Sequence, residues 1–114
     1  MNVIHTIKQV YSALYQTGNK LTKRDKLGIH AQIENIALEI MSDIINASIS
    51  NKILKQTYLE HSRTSLEILK HLVRTEYELK IIDQKTYIRI EGLLIETSKQ
   101  INGWLKYITQ NPTK

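Results

Sequence analysis

The stretch from Asn51 to Leu79, NKILKQTYLEHSRTSLEILKHLVRTEYEL, contains neither Gly nor Pro. At about 100° per residue, Leu54, Tyr58, Leu66, Leu69, Leu72, Val73 and Leu79 fall on one side of a helix. That apolar side is wider than the roughly 100° stripe of an ordinary amphipathic helix, so this segment is expected to touch more than one neighbour. Lys52, Arg63, Lys70 and Arg74 lie within roughly 40° of one another on another side. The basic stripe has two readings, a phosphate-binding edge and a solvated face. Glu60, Glu67 and Glu78 favour the second. They interleave the cations and set up Arg63–Glu67 and Arg74–Glu78 pairs four apart, each worth about 0.2–0.5 kcal/mol.

Punctuation is scarce throughout. The 114 residues hold four Gly and one Pro, and that proline is Pro112. Strands need turns, and turns need such residues, so the chain is expected to be all-helical and a single domain over residues 1–114. With no cysteine there is neither a disulfide framework nor thiolate chemistry. That fits a reducing compartment. The N-terminal MNVIHTIKQVYS lacks the apolar run of a signal peptide, and no stretch approaches the roughly 18 apolar residues of a membrane span. A cytoplasmic location without membrane contact is therefore expected.

Four helices are predicted. The first spans about Asn2 to Gln16, with Val3, Ile7, Val10 and Leu14 inward and Gly18-Asn19 as a left-handed stop. The connector KLTKRDK offers Lys20, Lys23, Arg24 and Lys26, either as phosphate contacts or as a polar turn. Thr22 and Asp25 suit a capping-box start for a second helix, Lys23 to Ala47. Its main stripe is Ile29, Ile33, Ile36, Ile40, Ile44 and Ala47. Leu27, Leu38 and Ile45 form a second stripe on nearly the opposite side, with Met41 adjacent. Ser50 is the expected N-cap of the third helix, which continues to about Lys80. Asp83 is the expected N-cap of the fourth, which runs to about Thr109. Its stripe is Tyr87, Ile90, Leu94, Ile101, Trp104 or Leu105, and Ile108, with Trp104 expected to be largely buried. Ile88 and Ile95 lie on a different face. Gly92 and Gly103, inside this helix, mark either close backbone approach or simple tolerance. The tail from Gln110 to Lys114 is expected to fray.

Short connectors and spacings of three and four predict an antiparallel up-down-up-down four-helix bundle. The second stripe of Leu27, Leu38 and Ile45 is either a subunit interface or part of a broad core face; with Ile88 and Ile95 on the fourth helix, the interface reading is favoured and points to a homo-oligomer.

No residues are spaced for catalysis. His5, His30, His61 and His71 form no H-E-x-x-H or Glu-x-x-His arrangement, and there is no Gly-rich phosphate loop or G-x-S-x-G elbow. A non-enzyme without cofactor or metal is expected. His71, between Lys70 and Arg74, either extends the basic surface or is a lone exposed side chain. Tyr107, off the main stripe, either stacks a base or packs.

The segments LGIHAQIENIALEIMSDIINAS (Leu27 to Ser48), SLEILKHLVRTEYELKIIDQKTY (Ser65 to Tyr87) and ETSKQINGWLKYI (Glu96 to Ile108) together resemble the accessory variability determinants of diversity-generating retroelements. The matches are Leu27-Gly28, the basic pair Lys70 and Arg74, and Gly103-Trp104-Leu105-Lys106, in that order. The resemblance implies a pentameric ring of four-helix bundles. It also implies binding to a reverse transcriptase and to template RNA or an RNA–DNA hybrid, in support of mutagenic cDNA synthesis and retrohoming. The family's basic positions fall here on Lys70, Arg74 and Lys99. Members often carry Gly where this chain has Ser98, and small residues where it has Asn102. A sister group, the four-helix proteins of ribosomal RNA intervening sequences, shares the Gln32-Ile33 region and would imply an oligomeric protein-interaction scaffold. Glu34 and Asn35 replace that group's basic residues, and the Gly-Trp-Leu-Lys end favours the retroelement group.

Overall fold

In the computed structural model, which describes residues 2–110, regular structure is entirely helical. There are four long helices, α1 (Val3–Gly18), α3 (Ile29–Ile49), α4 (Lys52–Glu78) and α5 (Gln84–Gln110), and one short helix, α2 (Lys23–Leu27). Helix α3 packs against α4, α4 against α5, and α1 against both α3 and α5. The body measures 51 × 21 × 19 Å. Among the described residues, no helix is long and apolar enough to cross a membrane.

The core follows a repeat of three and four. On α3 the buried residues are His30, Ile33, Ala37, Ile40, Ile44 and Ala47, and on α4 Leu59, Ser62, Leu66, Leu69, Val73 and Glu76 fall in register. Ile7, Val10 and Leu14 of α1 and Ile90, Leu94 and Ile101 of α5 complete the interior. Leu54 and Leu79, expected inside, lie near the two ends of α4 and are 48% and 63% exposed. Leu105 takes the core position and Trp104 lies half-buried beside it, less covered than expected.

The predicted second helix is interrupted. Gly28 adopts φ −93° and ψ −114°, outside the helical region, and ends α2. A Cβ there would stand 2.9 Å from the Arg24 carbonyl oxygen, so the break needs glycine. Beyond it α3 continues past Ala47 to Ile49. Gly18 ends α1, but not through a left-handed stop, since no glycine has positive φ and Asn19 sits at φ −65°.

Capping explains the other boundaries. Asn2 Oδ1 accepts from the His5 amide at 3.0 Å, and Thr22 Oγ1 from the Asp25 amide at 3.3 Å. Asn51, not Ser50, caps α4 by accepting from the Leu54 amide; Ser50 instead donates back to the Asn46 carbonyl at the end of α3. Asp83 accepts from the Thr86 amide at 2.8 Å, as expected. Helix α5 includes Gln110, contrary to the expected fraying there; the rest of that expectation, residues 111–114, lies outside the described residues.

Candidate nucleic-acid interface

Arg63, Lys70 and Arg74 lie along one edge of α4, as their spacing requires. Arg63 and Arg74 are exposed and Lys70 is partly covered. Carboxylates engage two of the three. Lys70 Nζ donates to Glu67 Oε1 at 3.1 Å, and Arg74 Nε donates to Glu78 Oε2 at 3.4 Å. Glu67, expected to pair with Arg63, thus sits on Lys70.

Arg74 also anchors an aromatic cluster that the spacing of the cations does not reveal. Tyr77 and Tyr87 stack with centroids 4.6 Å apart and planes 9° from parallel. The Arg74 guanidinium lies 6.0 and 5.7 Å from the two centroids, within cation–π range. Arg74 Nη1 donates to the Tyr87 hydroxyl at 3.3 Å, and that hydroxyl donates to Glu91 Oε2. The Glu91 carboxylate pushes the Tyr87 phenol above its ordinary value, against the opposing pull of Arg74. The i,i+3 position of Tyr77 relative to Arg74 was the available signal; the Tyr87 partner comes from α5 and has no local signature.

The connector cations gather at the same end as Arg74. Lys20, Tyr77, Glu78, Lys80 and Asp83 line one depression of about 720 Å³. Asp83, whose pKa is lowered chiefly by its Thr86 hydrogen bonds, also feels Lys20 and Lys85. Lys23, Arg24 and Lys26 lie on α2 and are exposed; Arg24 borders Leu79 and Ile81 across a shallow groove. Lys99 is separate. It sits on α5 towards Trp104, whose ring lies 5.3 Å from Lys55 Nζ near the start of α4. His71 is exposed, and Tyr107 is 59% exposed.

The expected oligomer residues all reach the surface. Leu27 is 65% exposed, Leu38 43%, Ile45 40%, Ile88 58% and Ile95 45%. Gly92 has no atom within 4 Å of a built Cβ, so tolerance, not close approach, accounts for it.

Sequence reasoning about histidines missed a buried polar cluster. His30 Nδ1 donates to Glu76 Oε2 at 2.7 Å and Nε2 donates to the Leu14 carbonyl at 2.7 Å, with Glu34 Oε2 at 3.5 Å from Nε2. With Glu76 as a carboxylate, two acceptors face the two ring nitrogens, an arrangement that suits the doubly protonated imidazolium. Burial opposes that charge, but the Glu76 hydrogen bond, the Leu14 carbonyl and the charges of Glu76 and Glu34 outweigh it and raise the pKa above 6.5. The cluster ties α1, α3 and α4 together. Among the described residues, no group of three His, Cys, Asp or Glu side chains could hold a metal ion.

These features belong to a helical bundle with a carboxylate-laced basic edge. The bAvd-like family model matches residues 2–108, and the chain belongs to that family. The resemblance to accessory variability determinants is thereby borne out, and the family is one of accessory proteins of diversity-generating retroelements. No curated protein matches the chain.

Proposed function

We propose that this protein is a non-catalytic accessory subunit of a diversity-generating retroelement, binding nucleic acid and a reverse transcriptase during mutagenic cDNA synthesis. Family membership over residues 2–108 carries this reading. The basic edge of Arg63, Lys70 and Arg74 is its second support, since phosphates supply affinity without sequence reading. The connector cluster of Lys20, Lys23, Arg24 and Lys26 prolongs that edge past Arg74, and Lys99 adds a separate contact. The helices run antiparallel, up-down-up-down. Arg74 meets Tyr87 early in α5 while Lys55, early in α4, meets Trp104 late in α5, which suits that order.

The bundles form a homo-oligomer, with a pentamer preferred on the family's behaviour. Leu27, Leu38, Ile45, Ile88 and Ile95 supply the interfaces, and five copies multiply the net charge of +5 fivefold. A cytoplasmic location and a single domain fit this reading.

The test is a titration with structured RNA and with an RNA–DNA hybrid at two salt concentrations. Lys70→Ala combined with Arg74→Ala should weaken binding most at low salt. Arg74 also holds Tyr87, so Arg63→Ala, which touches no aromatic cluster, serves as a second variant. Unchanged affinity in both variants removes this edge from the site. The carboxylates on Lys70 and Arg74 favour a second reading, a protein-only scaffold, and absence of any wild-type binding would select it.

A further inference from the structure

The two ends of the bundle differ in chemistry. At one end α3 passes into α4 through Ser50 and Asn51, α1 begins, and α5 approaches its end. The contacts of Lys55 with Trp104, and a depression lined by Asn2, Val3, Ile4, Gly103, Trp104 and Tyr107, bring these segments together. Residues 44–59, 97–110 and 2–8, which build this end, contain no Asp or Glu, whereas Lys52, Lys55 and Lys106 are all there. The eleven acidic residues lie elsewhere, between Asp25 and Glu96.

The same end also exposes apolar side chains. Ile49 and Ile53 flank the α3–α4 turn at 78% and 79% exposed, more than any other large hydrophobic side chain described. Leu54 is 48% exposed beside them, and Tyr107 is 59% exposed next to half-buried Trp104. Scattered apolar residues on a surface need no explanation, but several gathered on one end mark an interaction site. Lys52 and Lys55 occupy the first turn of α4, a turn that contains no Asp or Glu of its own.

We propose that this end docks an acidic amphipathic helix of a partner protein. Exposed Ile49, Ile53 and Leu54 fit the apolar face of such a helix, read at i, i+3, i+4 and i+7, and the lysines fit its flanking carboxylates. An acidic partner places negative charge at the start of α4, where the dipole favours it. The end is 21 by 19 Å in section, so about 14 helical residues at 1.5 Å each would cross it. A nucleic acid would use the lysines but leave the isoleucines in water. This docking goes beyond the nucleic-acid reading and does not rest on the Lys70–Arg74 edge.

Trp104 is the only tryptophan in the chain and sits at this end, so its emission reports occupancy. The probe is a synthetic helical peptide of about 14 residues, with leucines at the stated spacing and glutamates on its flanks. Controls are the same peptide with lysine in place of glutamate, and a single-stranded RNA. The acidic peptide should shift Trp104 emission saturably to the blue. Ile49→Ser with Ile53→Ser should weaken it roughly tenfold, as the loss of a central apolar anchor does. Lys52→Gln with Lys55→Gln should lower the salt dependence. Both isoleucines are largely exposed, so their replacement leaves the core intact, checked by an unchanged unfolding midpoint.

The proposal is overturned by no response to the acidic peptide, by equal binding of the basic one, or by indifference to the isoleucine substitutions. It is also overturned if RNA displaces the peptide from Trp104, or if the emission shift occurs with protein concentration alone and disappears in the isoleucine variant. In that last case the occupant is a second copy of the chain. The Lys70/Arg74 titration is read separately, so failure there leaves this result standing.

Discussion

His30 and Glu76 meet at 2.7 Å with neither side chain exposed, and the pair joins α3 to α4 inside a mainly apolar core. Glu76 Oε1 is buried and has no hydrogen-bond partner among the described residues, so the imidazolium is the main compensation for that carboxylate. Removing one member of a buried pair leaves the other charge stranded. His30→Ala should therefore cost about 3–5 kcal/mol in urea unfolding. His30→Leu with Glu76→Leu removes both charges and should cost much less, or stabilise. A small loss in His30→Ala, below about 1 kcal/mol, would mean that the pair contributes little to the stability of the fold.

The same pair sets a pH dependence. The His30 pKa is raised above its unfolded 6.5, so the folded state binds the proton more tightly. Its contribution is fully present below 6.5 and is lost as pH rises through the folded value. Exposed His61, raised chiefly by its hydrogen bond to Asp43, acts in the same direction. Unfolding free energy measured upward from about pH 6 should fall, and that fall should be smaller in the double leucine variant. An identical pH profile in both proteins would exclude His30 as the source.

Two glycines separate close packing from tolerance. A Cβ on Gly18 would stand 3.0 Å from His30 Cδ2, 3.1 Å from Nε2 and 3.2 Å from Glu34 Oε2. His30 is held at both nitrogens and cannot yield cheaply, so Gly18→Ala should destabilise by about 1–3 kcal/mol, the range for overpacking. Gly92 meets nothing within 4 Å and lies inside α5, so Gly92→Ala should stabilise by about 0.5–1 kcal/mol. Thermal melts of the two variants should move in opposite directions.

The helices were legible because the chain carries a repeat of three and four almost without interruption. The misreadings came from taking apolar residues alone as the marker of the core. His30 falls in step with Ile33, Ala37, Ile40, Ile44 and Ala47, and Glu76 with Leu66, Leu69 and Val73. Position in the repeat, irrespective of residue type, would have identified both. Gly28 was overlooked as a break because the residues on either side continue a helical pattern; the clash that demands glycine is with the Arg24 carbonyl. The Tyr77–Tyr87 stack was not legible, since it depends on how α5 sits against α4. Trp104 and Leu105 compete for one core position, and only packing decided for Leu105.

Lys80 carries the one positive φ among the described residues, 62°. Its amide donates to the Tyr77 carbonyl and the Ile81 amide to the Glu76 carbonyl, the paired bonds that close a helix through a left-handed residue. Glycine is the usual residue there, because a side chain costs about 1–2 kcal/mol in that region. Lys80→Gly should raise the unfolding free energy by up to about 1 kcal/mol, after the greater freedom of glycine in the unfolded chain is offset. Lys80 also borders the depression shared with Lys20. If the lysine is kept for nucleic-acid binding, the stabilised variant should bind structured RNA more weakly at low salt than wild type. Tighter binding would show that its side chain has no part in that contact.

The two surplus apolar stripes sit on helices that are not neighbours. Leu38 and Ile45 are on α3 and Ile88 and Ile95 on α5, and each of these helices packs against α1 and α4 instead of the other. Two different patches on separate helices suit head-to-tail contact, in which one stripe of each copy meets the other stripe of the next. Such contact closes into rings when the rotation allows, whereas a two-fold contact pairs a patch with itself. Leu38→Glu and Ile95→Glu, both at exposed positions, should each abolish the proposed oligomer in light scattering without unfolding the bundle. Mixing the two variants is the decisive measurement. Under head-to-tail assembly each retains the stripe that the other has lost, so the mixture should form one-to-one dimers and go no further. Two-fold pairing through α3 alone would leave Ile95→Glu fully assembled by itself. A wild-type monomer at micromolar concentration would dispose of both arrangements.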